Sequence, residues 1–222
     1  MADPSAKRFS TYIALLLACI AVWADIIFSI PQPTAFSITW FIVSALKNIV
    51  RIVFILYTAS QLSFFSMRQW KRALGHFPSR PEMSRALSVM LLSMGCAGIG
   101  MVVSWLSGLS NPLLIAHRHV SVLVLLPFIV FSSISVGYAE ELFFRFFLID
   151  GLAEAGTSIN TAAFVSTLIF ALSHYAQGIF GIAFAGALAA VYTSLRFRGY
   201  GLHSLALGHA LYDAIVLFIA LA

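Results

Sequence analysis

Charge is scarce in this chain: Asp, Glu, Lys and Arg make up only 9% of its 222 residues. A soluble domain carries about 25% charged and about 45–50% apolar residues, whereas here 61% are hydrophobic and the mean hydropathy is +0.97. That shortage excludes a wetted surface, and with it an ordinary soluble enzyme. Cysteine is almost absent as well. Cys19 and Cys96 lie in separate apolar runs without metal-type spacing, which argues against a disulfide framework or zinc ribbon and leaves both as packing residues. The net charge of +5 does not call for nucleic acid, because 13 basic residues in so apolar a chain are better explained by orientation in a bilayer.

What the chain has in abundance is long apolar runs. A membrane-crossing helix needs roughly 20 such residues, so the expected fold is all-α, a polytopic membrane helix bundle of about seven transmembrane helices in a single integral membrane domain, 1–222. Hydropathy marks the spans near Thr11 to Ile30, Ala35 to Phe54, Ala86 to Leu106, Val120 to Glu140, Ile159 to Tyr175, Gly178 to Leu195 and Leu202 to Ala222. The first run is too long for a signal-peptide core and holds Trp23 and Asp25, so it is read as a retained span. Basic residues Lys7, Arg8, Arg68, Lys71, Arg72, Arg80, Arg85, Arg196 and Arg198 fall on one side if the amino terminus is cytoplasmic, with only Arg118 opposed.

A charged group in hydrocarbon costs at least about 2.5–3.5 kcal/mol and needs a partner or a job. Asp25 with Lys47 and Arg51, the latter two four residues apart on one helix face, is expected to form a structural ion pair, with a substrate-contacting role as the alternative. The carboxyl-terminal half holds a denser set: Glu140, Glu141 and Arg145, then His174, then His209 and Asp213. Arg145 follows Glu141 by four residues, the order that favours an intrahelical pair. Glu140 points about 100° away on an α-helix and is left among apolar neighbours as the candidate base. His209 and Asp213 share a face. Three spans that each carry ionisable groups can satisfy them together in one polar cavity, which is a functional site by default. For Glu140 and His174 to meet, the crossing part of span four is expected to begin near Pro127 and run on through Phe147, with Gly151 and Gly156 marking the turn that follows.

The strings EELFFR at Glu140 to Arg145, FALSH at Phe170 to His174 and HALYD at His209 to Asp213 resemble the motifs EExxxR, FxxxH and HxxxN/D. Those motifs belong to the CAAX protease and bacteriocin-processing (CPBP, or Abi) family of intramembrane proteases, which includes the CAAX prenyl endopeptidases. The resemblance runs from roughly Phe128 onward, and a catalytic half of about 120–222 follows from it. It implies a glutamate-dependent intramembrane endopeptidase. Glu140 would activate a water with help from His174, His209 and the fourth group would stabilise the oxyanion, and Glu141 and Arg145 would support the helix. Where the better-studied relatives resemble an asparagine, this chain has Asp213, which is expected to orient His209 rather than donate to the oxyanion itself.

No cofactor is expected, since a carboxylate base is available and no HExxH pattern occurs, although Glu140, His174, His209 and Asp213 also make a set compatible with zinc. The implied partners are a membrane-associated peptide or protein tail and the lipid bilayer, and the implied location is a prokaryotic cytoplasmic membrane. Two other readings compete. A non-catalytic immunity or scaffold protein would keep the fold without chemistry. A proton-coupled transporter would need inverted repeats, whereas the ionisable groups of the catalytic kind here follow residue 138.

Overall fold

The computed structural model describes residues 4–24, 28, 32–62, 74–109 and 120–222, with side chains from residue 8 onward. Among them there are seven helices of 15 residues or more and no strand. They are α1 (Pro4–Val22), α2 (Ile38–Gln61), α3 (Arg80–Ser107), α4 (Val122–Glu154), α5 (Ile159–Ser173), α6 (Gly178–Phe197) and α7 (Leu202–Leu221). The chain is a polytopic membrane helix bundle. Of the expected seven spans, α2, α3, α4, α6 and α7 are long and apolar enough to cross a membrane, while the apolar part of α1 (Arg8–Val22) and α5 are shorter.

Local sequence sets the helix ends. Ser37 Oγ accepts the Trp40 N–H at 3.1 Å to open α2, and Ser158 Oγ accepts the Thr161 N–H at 3.2 Å to open α5. At the head of α3 the Ser79 N–H donates to Glu82 Oε2 at 2.8 Å, and Pro81 sits in the first turn where no amide donor is missed. Gly108 closes α3 at φ +70°, and Gly156 turns the chain out of α4 at φ +103°, conformations that cost other residues more. Gly151, expected to share in that turn, is instead a buried residue inside the last turns of α4.

The burial pattern is that of a protein in lipid. Trp105, Met101, Ile99, Val50 and Leu91 are exposed on the helix faces, whereas Ser93, Ser132, Ser133, Ser166 and Ser204 are buried between helices. Small and hydroxylated residues let helix backbones approach where lipid supplies no hydrophobic drive. The central element is α7, packed mainly against α4 and α3. At Gly137 an added Cβ would lie 2.4 Å from the Ala206 carbonyl oxygen, and at Gly208 it would lie 2.4 Å from Val89 Cβ and 2.7 Å from the Ala86 carbonyl oxygen. Both contacts involve backbone or its nearest atoms, so neither can be relieved by a side-chain rotation.

The hairpin of α4 and α5 sets the depth of the site. At ~1.5 Å rise per residue, the 15 residues of α5 cover ~22 Å, less than the ~30 Å of a hydrocarbon core. A helix that stops short leaves its capping residue, His174, within the apolar layer. Counting from the intervening turn, Glu140 lies 14 residues back from Glu154 and His174 lies 15 residues on from Ile159. The two therefore share a level, and α4 continues unbroken through Pro127 and well past Glu140, as the meeting of these groups requires.

Gly137→Ala and Gly208→Ala are expected to destabilise the bundle by about 1–3 kcal/mol each, the usual cost of overpacking. Gly98→Ala, with nothing within 4 Å of the added carbon, should be neutral or slightly stabilising. Thermal unfolding of the three variants in one detergent checks the contrast.

Candidate active site

The segment that carries the first motif is not an α-helix. Glu141–Leu148 is a π-helix inserted between the α-helical parts Val122–Glu140 and Ile149–Glu154. Such wide turns shift the intrahelical hydrogen bonds by one residue and occur most often at functional sites. Here Ser166 Oγ of α5 donates to the Phe144 carbonyl at 2.5 Å, tying the wide turn to its neighbour.

The Glu141–Arg145 pair forms as the spacing predicts, with Nε 3.3 Å from Oε2 and both side chains fully buried. Its geometry is electrostatic rather than that of a hydrogen bond, since among the described residues neither Glu141 Oε2 nor any guanidinium nitrogen of Arg145 has a hydrogen-bond partner. Aromatic rings surround the guanidinium instead, with its carbon 4.7 Å from the Phe170 centroid and 5.9 Å from those of Phe144 and Tyr192. The negative faces of these rings compensate the buried cation.

Glu141 has a second partner that the intrahelical reading missed. Its Oε1 accepts from His209 Nδ1 at 2.9 Å. The opposite ring nitrogen, Nε2, lies 3.8 Å from Glu140 Oε2 and 3.5 Å from Asp213 Oδ2. Consecutive glutamates thus approach the same imidazole from its two nitrogens, and the backbone angles at both are α-helical, so their splay matches the two sides of the ring. Glu141 thus holds His209 from the Nδ1 side, and Asp213, expected to orient the ring, stands on the Nε2 side. Tyr192 packs edge-on to the same ring at 5.4 Å, its hydroxyl 2.8 Å from Ser93 Oγ.

His174 Nδ1–H donates to the Phe170 carbonyl at 2.9 Å, and its ring rests on Phe170 at 4.7 Å. That bond fixes the tautomer and leaves Nε2 as the second functional atom. Asp213 is within electrostatic reach of His209, Glu140, His174 and Glu141 together, so the three motifs converge. Exposure separates the members: Glu141 and Arg145 are at 0%, His209 at 10%, Asp213 at 25% and Glu140 at 30%. Water can reach both Asp213 and Glu140.

Glu140 opens on a small cleft lined also by Ala139, Phe143 and Phe144 of α4, Ser173 of α5, Asn48, Arg51 and Ile55 of α2, and Val22 and Trp23 from α1 and its end. The first half of the chain therefore supplies one wall, which the motif strings did not indicate. The expected Asp25 pairing lies outside the described residues. Lys47 Nζ donates to Gln32 Oε1 at 2.7 Å, and Arg51 Nη1 donates to Asn48 Oδ1 at 3.1 Å. The four groups named as a zinc set do not compose a metal-holding cluster: among the described residues no group of three or more His, Cys, Asp or Glu side chains is so arranged. No step below is routed through a metal.

Fold and site together define a multi-helix membrane protein with a carboxylate–imidazole centre sunk between its spans. The family model described as type II CAAX prenyl endopeptidase Rce1-like matches residues 122–215, which hold all three motifs, and over that segment the chain resembles the CPBP family. That family is one of membrane proteases. No curated protein and no solved structure matches the chain.

Breaking the buried pair from one side exposes the cost of an unpaired charge. Arg145→Met should cost about 3–5 kcal/mol, and the double variant Arg145→Met with Glu141→Gln should recover part of that loss. A double-mutant cycle by chemical or thermal unfolding in detergent checks both.

Proposed function

We propose that the protein is an intramembrane endopeptidase acting on a membrane-associated peptide or protein tail. The observation that carries this reading is the division of labour between adjacent carboxylates. Glu141 is sealed and spent on holding His209 and Arg145, while Glu140 opens on the cleft with His209 Nε2 at 3.8 Å. A hydrolase needs an activated water, a stabilised oxyanion and a proton for the leaving amine.

In the proposed scheme a water in the cleft is positioned by Glu140 and His174. Its oxygen bonds to the scissile carbonyl carbon as Glu140 takes a proton. The carbonyl π electrons move onto oxygen, and the oxyanion accepts from the Nε2–H of His209 in its imidazolium form. Glu141 at Nδ1 fixes the ring, and Asp213 supplies countercharge beside Nε2. Glu140 then hands its proton to the departing nitrogen as the C–N bond breaks, so that the products are an acid and an amine.

The orientation with a cytoplasmic amino terminus in a prokaryotic membrane belongs to the same proposal. It is supported by basic residues gathering at one end of the bundle. Arg8 lies beside Gly156 in the α4–α5 turn, and Arg85 Nη1 donates to the Gly199 carbonyl in the α6–α7 turn at 3.1 Å.

Purified protein and a set of lipid-anchored peptides test the chemistry. Glu140→Gln should lower turnover about 10²–10⁴-fold, the usual worth of a general base, without loss of thermal stability. Glu141→Gln should lower turnover and stability together, because it releases both His209 and Arg145. A chelator should leave wild-type turnover unchanged. Turnover that survives Glu140→Gln would remove Glu140 as the base, absence of turnover in the wild-type protein would point to the non-catalytic scaffold, and zinc-reversible inhibition by chelator would overturn the carboxylate-base scheme.

A further inference from the structure

Tyr192 belongs to none of the three motifs, yet it stands beside the central imidazole. It lies on α6, is buried, and packs on the His209 ring with centroids 5.4 Å apart and planes at 71°. A buried phenol needs a partner for its hydroxyl. Tyr192 finds one on α3, where Ser93 Oγ, also fully buried, lies 2.8 Å away. The direction of that bond follows from the count of protons. Ser93 has one hydroxyl proton and donates it to the Val89 carbonyl at 2.9 Å, so its oxygen accepts from Tyr192.

The same turn of α3 holds the backbone next to His209. Val89, which takes the proton of Ser93, is also the residue whose Cβ lies 2.4 Å from where a side chain at Gly208 would begin. Through Val89, α3 fixes the chain immediately before the imidazole, and through Ser93 and Tyr192 it fixes the ring beside it. Val89 and Ser93 lie outside the segment that the family model matches, 122–215. An imidazole anchored at Cβ and hydrogen-bonded at Nδ1 keeps one freedom, since it can tip about the line through those two points. Glu141 cannot oppose this motion, because it holds the atom on the axis. Nε2 lies off the axis and swings. In the hydrolytic scheme Nε2–H meets the oxyanion, and such a group must be held within about 0.5 Å and 10–20° of the productive geometry. An aromatic ring packed on the imidazole, and itself pinned at its far end, blocks the tipping.

We propose that Tyr192, pinned by Ser93, is a positioning residue for His209, which fixes the tilt of the imidazole and with it the place of Nε2. This rests on the hydrolytic reading for what Nε2 does, but on separate contacts for how the ring is held.

The test uses full-length protein in detergent, with turnover of lipid-anchored peptides and thermal unfolding read side by side. Tyr192→Phe and Ser93→Ala each remove the tether and keep the ring. Both should lower kcat about 3- to 10-fold, the worth of one hydrogen bond, with KM unchanged, as for a group that acts in the transition state. Tyr192→Leu, which removes the ring as well, should lower kcat about 10²-fold, the usual effect of a misplacement near 1 Å. Ser93→Ala leaves a buried hydroxyl unpaired and should also lower Tm. The double variant Tyr192→Phe with Ser93→Ala leaves no polar atom unsatisfied, so its Tm should recover, whereas its kcat should stay as low as that of either single variant. Nuclear magnetic resonance of protein with isotope-labelled histidine reads the ring directly. The His209 Nδ1–H resonance, assigned by its loss in His209→Gln, should move and broaden in the double variant and more so in Tyr192→Leu. A resonance unmoved in the double variant overturns the proposal, and so does a kcat that recovers together with Tm, which is the behaviour of a merely structural bond. A resonance that moves while the wild-type protein cleaves no peptide keeps the brace and removes the hydrolase.

Discussion

A fully buried carboxylate governs this molecule. Glu141 has no access to water, so its charge must be met from within, and the chain meets it twice, by Arg145 four residues on and by His209 from another helix. The first partner is local and could form in an isolated helix. The second is not, and it couples the wide turn of α4 to the middle of α7. Because an uncompensated ion in this setting costs several kcal/mol, the docking of α7 and the alignment of the imidazole are one event. Arg145 in turn is tolerated because aromatic rings of α4, α5 and α6 enclose it.

The two glutamates divide the imidazole between them: Glu141 holds Nδ1, while Glu140 lies toward Nε2 and opens on the cleft. The shortness of α5 does the complementary job for His174, ending its helix at the level where α4 carries Glu140.

Much of this was legible in the letters. The apolar runs gave the helices and their order, and Glu141–Arg145 and the convergence of three motifs followed from spacing and from the cost of unsolvated charge. What spacing could not show is whatever departs from ideal periodicity. The π-segment has no marker in EELFFR beyond its composition, and the bond from His209 to Glu141 joins helices remote in sequence, so neither was read from spacing. Asn48 was overlooked because a single amide in an apolar run is a weak signal until its neighbour Arg51 is seen facing the same cleft. The short extent of α5 was legible, since the fifth span was placed at Ile159 to Tyr175 and a single 3₁₀ turn, Tyr175–Gln177, divides it from the next helix.

The glycine contacts of α7 have a mechanical corollary. With Gly137 and Gly208 set against neighbouring backbone, α3, α4 and α7 form a trio without slack, and α4 and α7 carry between them Glu140, His209 and Asp213. The opposite wall of the cleft comes from α1 and α2, of which α2 also packs on α4 while α1 is the more loosely joined. On the proposed reading the groups that would react sit on a rigid anvil, and any yielding that admits a substrate falls to α1.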